Sequence, residues 1–243
     1  MTEAPVSASK NTTIPPRPHN QIPPEYLDAI TTGDCRELVA RLPDQSCALA
    51  FADPPYWVGY DYGNRTDKDM AHIDPAWLVA ELRRIAPIVC VTPGIANVYR
   101  YPPADWLLAW SKPASTGRNW SGGYNVWEPV LVYGKPTRRL WQDLITAPGG
   151  REQAGAFNRC PKPLRLLTAL IQAMTSPGDT VFDPVAGSGT TAVACKQLRR
   201  HYVAFEIDPD TAEKARQRVE NTQQPLFVVP LEQLSLEAEG IPG

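Results

Sequence analysis

Thr180-Val181-Phe182-Asp183-Pro184-Val185-Ala186-Gly187-Ser188-Gly189-Thr190 is the stretch on which the fold turns. Its first residues are β-branched and aromatic and read as the end of a buried parallel strand, while Thr190 to Leu198 continues as a helix. The loop therefore joins strand to helix, and its glycines let the backbone turn sharply and approach a ligand closely. Another strand follows in His201-Tyr202-Val203-Ala204-Phe205 and ends at Glu206, 17 residues past Gly189 (206 − 189). An acid at the tip of the next strand is where nucleotide-binding α/β sheets hold ribose hydroxyls. Ala186-Gly187-Ser188-Gly189 lacks the GxGxxG spacing, and Asp183 closes the strand before it. A carboxylate at that mouth would repel a pyrophosphate but suits an ammonium, which favours S-adenosylmethionine over NAD. Alone, the glycine segment is also consistent with a plain strand-to-helix turn.

Upstream, Ala48-Leu49-Ala50-Phe51-Ala52 reads as a core strand, and Asp53-Pro54-Pro55-Tyr56 lies where it leaves the sheet, at the edge where such sheets bind ligands. Two prolines fix φ and remove two donors, which makes a rigid element that presents carbonyls. The exocyclic amine of adenine or cytosine is a poor nucleophile because its lone pair is delocalised into the ring. If Asp53 and the Pro54 carbonyl accept its two hydrogens, the nitrogen is drawn toward tetrahedral geometry and its lone pair is freed. Tyr56 supplies an aromatic face for a base rotated out of the duplex. In a chain with 26 prolines, a proline-rich turn capped by Asp is the competing reading.

With both motifs in hand, the chain resembles the amino-group DNA methyltransferases, which modify adenine N6 or cytosine N4. The tetrad-first, glycine-loop-last order is similar to the β-type permutation of that family. Gly33-Asp34-Cys35 resembles the family's Gly-Asp segment, so Asp34, with Cys35 beside it, is implied to contact the cofactor adenine. Pro161-Lys162-Pro163 resembles the segment that helps hold the cofactor's methionine end, and Glu128 to Lys135 the strand that ends the catalytic half. The resemblance covers roughly residues 27–221. It departs at Val185, where the family commonly has an aromatic residue, and at Asn158-Arg159-Cys160, where a His-Pro pair is usual.

The implied enzyme is a DNA methyltransferase dependent on S-adenosylmethionine, with a Rossmann-like, mostly parallel, seven-stranded-type α/β sheet flanked by helices. Asp at the first tetrad position leans toward adenine N6, since cytosine-N4 members more often begin with Ser. Asp53, Pro54, Pro55 and Tyr56 carry the chemistry in this reading. Asp34, Cys35, Asp53, Lys162, Asp183, Ala186, Gly187, Gly189, Thr190 and Glu206 hold the cofactor. Substrate contacts fall to Tyr56, Trp57, Arg138 and Arg139. Double-stranded DNA is the expected partner, and a homodimer follows from the resemblance alone. An RNA- or protein-directed amino-group methyltransferase, or a catalytically silent DNA-binding regulator, are the readings from other classes. An intact tetrad argues against the silent one.

Residues 1–22, rich in Pro, Ser, Thr and Asn, read as a disordered tail, and 23–243 as a single catalytic domain. Asp74-Pro75 opens a helix to about residue 86, Ile88-Val89-Cys90-Val91 is a buried strand, and Val126 to Tyr133 another. Near 134–158 the pattern dissolves into Pro, Gly, Thr and Arg, and a short DNA-reading insertion or a lid belongs there. Gly59, Gly63 and the aromatic residues Trp57, Tyr60 and Tyr62 form a second mobile element over the base, although Tyr60 and Tyr62 suit a core equally. The formal net charge of −2 argues against indiscriminate coating of nucleic acid. Residues 110–165 nonetheless carry nine basic side chains (Lys112, Arg118, Lys135, Arg138, Arg139, Arg151, Arg159, Lys162, Arg165) against three acidic ones (Glu128, Asp143, Glu152), which suits a phosphate-facing surface. Five cysteines without a CxxC pair fit a reducing cytoplasm, in a bacterial or phage-infected cell. The three histidines are scattered and make no metal constellation.

Overall fold

The structure is a computed structural model that describes residues 21–59, 72–113, 122–136, 142–148 and 161–224. Its centre is a set of short strands, β2 (Leu49–Ala52), β3 (Ile88–Val91) and β7 (Thr180–Asp183), buried at every residue. Continuous burial without alternation is what a parallel sheet covered on both faces demands. Around them lie β1 (Ala29–Thr32), β4 (Trp106–Ser111), β5 (Trp127–Tyr133), β6 (Leu144–Thr146) and β8 (His201–Glu206). Among the described residues they form one eight-stranded sheet in the order β1-β8-β7-β2-β3-β5-β4-β6. All neighbours run parallel except β5, which is antiparallel to both β3 and β4.

The helices are α1 (Cys35–Leu38), α2 (Pro75–Ile85), α3 (Leu164–Met174), α4 (Thr190–Leu198) and α5 (Pro209–Glu220). Asp74 caps α2 by accepting from the Trp77 amide, with Pro75 at the first helical position. Ala86 ends the helix in an extended conformation because Pro87 follows it. Leu78, Leu82 and Ile85 of α2 are almost wholly buried against the face of the sheet that carries Ala50, Ala52 and Phe182. Burying each is worth roughly 1.5–3 kcal/mol. The opposite face, with Leu49, Phe51 and Val181, packs on Leu166, Leu167, Leu170 and Ile171 of α3 and on Ala194 and Cys195 of α4.

Three details add to the sequence expectations. The sheet counts eight strands among the described residues, because β6 adds to the edge beside β4, pairing Ala109 with Leu144. That strand lies inside the 134–158 interval expected to be irregular; three residues are too few to display a two-residue period. Packed structure also begins inside the segment assigned to the tail, since Ile22 is 4% exposed and belongs to the same core cluster as α2.

Candidate active site

Leu49 and Ala50 of β2 pair with Val181 and Phe182 of β7, so the carboxyl ends of these two strands lie side by side. From that seam the order runs to β8 and β1 on one side and to β3 on the other. This makes it the switch point at which open α/β sheets take ligands. The tetrad leaves the sheet from β2 and the glycine loop from β7, and the fold thus juxtaposes motifs separated by some 130 residues (183 − 53).

Asp53 Oδ1 accepts from the Tyr56 hydroxyl at 3.1 Å and from Thr92 Oγ1 at 2.6 Å, and Oδ2 accepts from Lys162 Nζ at 2.5 Å. A carboxylate offers about four lone-pair positions. Thr92 and Lys162 each fill one, and the Tyr56 hydroxyl, whose single proton is also in reach of Glu128, lies at a third; a position on Oδ2 is left for a donor that enters the site either way.

The segment after β3 cradles the tetrad. Thr92 orients Asp53, and Asn97 Nδ2 donates to the Tyr56 carbonyl at 2.6 Å. Between them Gly94 has φ +68, and a Cβ there would lie 2.7 Å from Tyr56 Cδ2. Only glycine offers both the left-handed backbone and the room for that ring. Trp57, next in the chain, carries φ 49 and sets its ring 4.5 Å from that of His72.

Because β5 runs antiparallel, its first residues reach the edge where the parallel strands end. Glu128 accepts from the Tyr56 hydroxyl at 3.0 Å through Oε2 and pairs with Lys112 through Oε1. Lys162, only 9% exposed, lies 5.2 Å over the Tyr56 ring and 5.8 Å over that of Trp110, and Lys112 lies 5.3 Å over the Trp110 ring. Burial, and then the charges of Asp53 and Glu128, push the Tyr56 phenol well above its usual range. The hydroxyl is therefore a donor at any physiological pH.

On the other side of the seam, Asp183 accepts from the Val185 amide at 3.0 Å and from Thr191 Oγ1 at 2.5 Å. Burial raises its carboxyl to about 7; the Thr191 and Val185 bonds oppose the shift, and Asp53 and Glu206 add to it. Glu206 is held by the Gly187 amide at 2.8 Å and the Asp208 amide at 3.0 Å, and β1 pairs Thr32 with it, which brings Asp34 to the same edge. A buried acid of raised pKa, with further carboxylates around it, is a site that a cation completes.

The structure thus brings Asp53, Pro54, Pro55, Tyr56, Lys162, Asp183, Gly187 and Glu206 to one edge of the sheet, at the carboxyl ends of β2, β7 and β8. It also shows what several side chains already hold. Asp34 takes a fork from Arg36, whose Nε lies 3.0 Å from both of its oxygens. The Cys35 side chain is buried beside Leu38, and burial pushes its thiol up to about 12, so the backbone is what it offers a ligand. Gly189 is the left-handed cap of α4 and packs on Ala215 and Ile30, Ala186 is in the core, and the Thr190 hydroxyl is held by Arg218 at 3.0 Å. Lys162, expected at the cofactor, is bonded to Asp53. Arg138, Arg139, Tyr60, Tyr62 and the Asn158-Arg159-Cys160 segment lie outside the described residues. Sequence reasoning missed Thr92, Gly94, Asn97, Trp110, Lys112 and Glu128; a Pro-Gly step directly after the strand at 88–91 was the available signal for the cradle.

Residues 107–217 match the profile of the DNA methylase family of N6/N4 type. Over that stretch the chain is similar to the amino-group DNA methyltransferases. The match runs from β4 through α5 and contains Glu128, Lys162 and the glycine loop, with the tetrad ahead of it. The type II methyltransferase M.HinfI of Haemophilus influenzae is 25% identical over 264 residues, covering 86% of this chain and 73% of that protein. YubD of Escherichia coli K12, named as a methylase, is 28% identical over 209 residues, covering 79% and 90%. Among solved structures, the complex of M1.HpyAVI with S-adenosylmethionine superposes with a TM-score of 0.58 at 20% identity, covering 79% of this chain and 98% of that chain. The cytosine-N4-specific PvuII DNA methyltransferase also reaches 0.58, at 16% identity, covering 88% and 95%. At such identities these two matches speak to the fold, a Rossmann-like methyltransferase sheet. Among the described residues no helix is long and apolar enough to cross a membrane, and no cluster of His, Cys, Asp and Glu could hold a metal ion.

Proposed function

We propose that the protein moves a methyl group from S-adenosylmethionine to the exocyclic N6 of adenine in double-stranded DNA. The observation that carries the reading is Asp53, whose neighbours Thr92, Tyr56 and Lys162 leave an acceptor position open on Oδ2 at the carboxyl end of β2. That position suits one hydrogen of an amino group, with the Pro54 carbonyl as acceptor for the other. Thr92 and Asn97 fix the tetrad before a base arrives, so the cost of orienting it is met in folding. Asp53 draws on the N–H bonds and takes up the proton that the nitrogen sheds as it bonds to the methyl carbon, while the carbon–sulfur bond of the sulfonium breaks and its electron pair stays on sulfur as a neutral thioether.

The residues across the seam fit S-adenosylmethionine. Asp183 suits a cationic group, the Gly187 backbone permits close approach, and Glu206, clamped by two amides, is oriented to accept from ribose hydroxyls. Asp34, Cys35, Ala186, Gly189 and Thr190 belong to the same side. When bound, the cofactor supplies an electrophilic methyl on a sulfonium. Tyr56 and Trp57 are assigned to the flipped base, and Arg138 and Arg139 to phosphate or guanine contacts. Residues 23–243 act as one catalytic domain in this reading, and two copies would associate.

Cytosine N4 is the second reading, since the PvuII enzyme, cytosine-N4-specific, shares the fold as closely as M1.HpyAVI does. Mass spectrometry of nucleosides from duplex DNA incubated with the protein and methyl-labelled cofactor separates the two. Labelled N6-methyldeoxyadenosine is the expected product, and it should vanish in Asp53→Ala while cofactor binding persists. Labelled N4-methyldeoxycytidine would keep the mechanism and overturn the base; label on RNA or protein only would overturn the substrate.

A further inference from the structure

The Tyr56 hydroxyl has one proton and two carboxylates within reach, Asp53 Oδ1 at 3.1 Å and Glu128 Oε2 at 3.0 Å. Each carboxylate has its own ammonium, Lys162 on Asp53 and Lys112 on Glu128, so two ion pairs flank the neutral Tyr56 hydroxyl in the order Lys162, Asp53, Tyr56, Glu128, Lys112 across the carboxyl edge. Glu128 and Lys112 are 16% and 15% exposed, which makes the pair a built part of the site rather than a solvated surface bridge.

The partner that holds the phenolic proton sets the strength of Asp53. Every donor on a carboxylate withdraws charge from it and weakens it toward the next donor. Asp53 already carries Thr92 and Lys162. With the Tyr56 proton directed to Glu128, Asp53 keeps its remaining charge for the target amino group. Without Glu128 that proton has only Asp53 to go to.

We propose that Glu128, oriented by Lys112, is a positioning residue that holds the Tyr56 proton off Asp53 and so keeps Asp53 a strong acceptor for the amino group. The proposal rests on the amino-group transfer reading above. The antiparallel β5 is what brings Glu128 there, some 75 residues along the chain from the tetrad (128 − 53).

The test combines tyrosine 13Cζ NMR with steady-state methylation, using the full chain. The Tyr56 resonance is assigned by its loss in Tyr56→Phe. Glu128→Ala is expected to move that resonance, to lower kcat about tenfold and to leave KM for the cofactor unchanged. Glu128→Gln, which retains an acceptor of similar shape, is expected to recover most of kcat. In a Tyr56→Phe background, Glu128→Ala should cost nothing further, because no phenolic proton remains to be directed. An unmoved resonance, or kinetic losses that simply multiply in the double variant, would overturn the proposal. A moved resonance in protein that methylates no DNA would instead overturn the transfer reading, leaving the Tyr56–Glu128 bond standing without a catalytic role.

Discussion

Asp53 and Lys162 are 23% and 8% exposed, so each is the other's replacement for water. Deleting one partner of such a pair strands the other, which costs up to about 3–5 kcal/mol when burial is complete. With Asp53 partly solvated, about 1–3 kcal/mol is the expected cost of Asp53→Ala. The double variant Asp53→Ala with Lys162→Met should recover most of that stability and none of the activity. Thermal melts of the two variants check this: a double variant that melts no higher than Asp53→Ala would show that Lys162 is not stabilised through Asp53. Asp183 gives a prediction in pH. Its folded pKa, raised to about 7 from 3.8, lies above its unfolded value, so its contribution to stability is present below about pH 4 and is lost as pH rises through 7. A cationic ligand reverses the preference, because it favours the ionised carboxylate. Cofactor affinity measured by calorimetry should therefore rise between about pH 5.5 and 7.5, with proton release on binding, and the rise should flatten in Asp183→Asn. An equal rise in both proteins would place the titration elsewhere.

The loop between β3 and the 3-10 turn at Ile95–Arg100 is the element on which the tetrad rests. Gly94→Ala sets a methyl 2.7 Å from the Tyr56 ring at φ +68, and roughly 1–2 kcal/mol of strain must be relieved by moving the ring or the loop. We expect kcat to fall more than tenfold with cofactor Kd unchanged, and a cofactor Kd that rises in parallel would show that the two sides of the seam move together. This loop also marks the limit of what the sequence conveys. Strands β2, β3, β7 and β8 were legible because their apolar runs end at Asp, Thr or Glu, and α2 and α4 because a cap or a preceding glycine turn announces them. β4, Trp-Leu-Leu-Ala-Trp-Ser, has no two-residue alternation to betray which side is buried, although Leu108 and Trp110 are inside and Leu107 is 49% exposed. The tetrad and glycine loop were legible as motifs because their chemistry is local. Glu128, Lys112 and Lys162 act on the tetrad only through strand order, and no local pattern encodes that β5 runs backward.

Strand order also redistributes the charge of the molecule. Of the nine basic residues between 110 and 165, Lys112 and Lys162 are committed to Glu128 and Asp53 inside the site and are withdrawn from any phosphate-facing surface. Seven remain (9 − 2) in a chain whose net charge is −2, so DNA binding should draw on few phosphate contacts. Each contact contributes about −0.9 to the slope of log K against log salt on duplex DNA. If the segment supplies the contacts, that slope should be shallower than about −6. Substituting Arg138 or Arg139 by Ala should reduce it by about 1 each if they touch phosphate, lowering affinity evenly across sequences. If one of them reads guanine instead, its loss should relax site preference and leave the slope nearly unchanged. Lys112→Met should leave the slope where it is while lowering kcat, because its ammonium serves Glu128 rather than the duplex. Fluorescence anisotropy of a labelled duplex across a salt series, with these three variants side by side, separates the outcomes. A Lys112→Met slope reduced by a full phosphate contact would return that lysine to the DNA-facing surface and remove the support on which Glu128 is oriented.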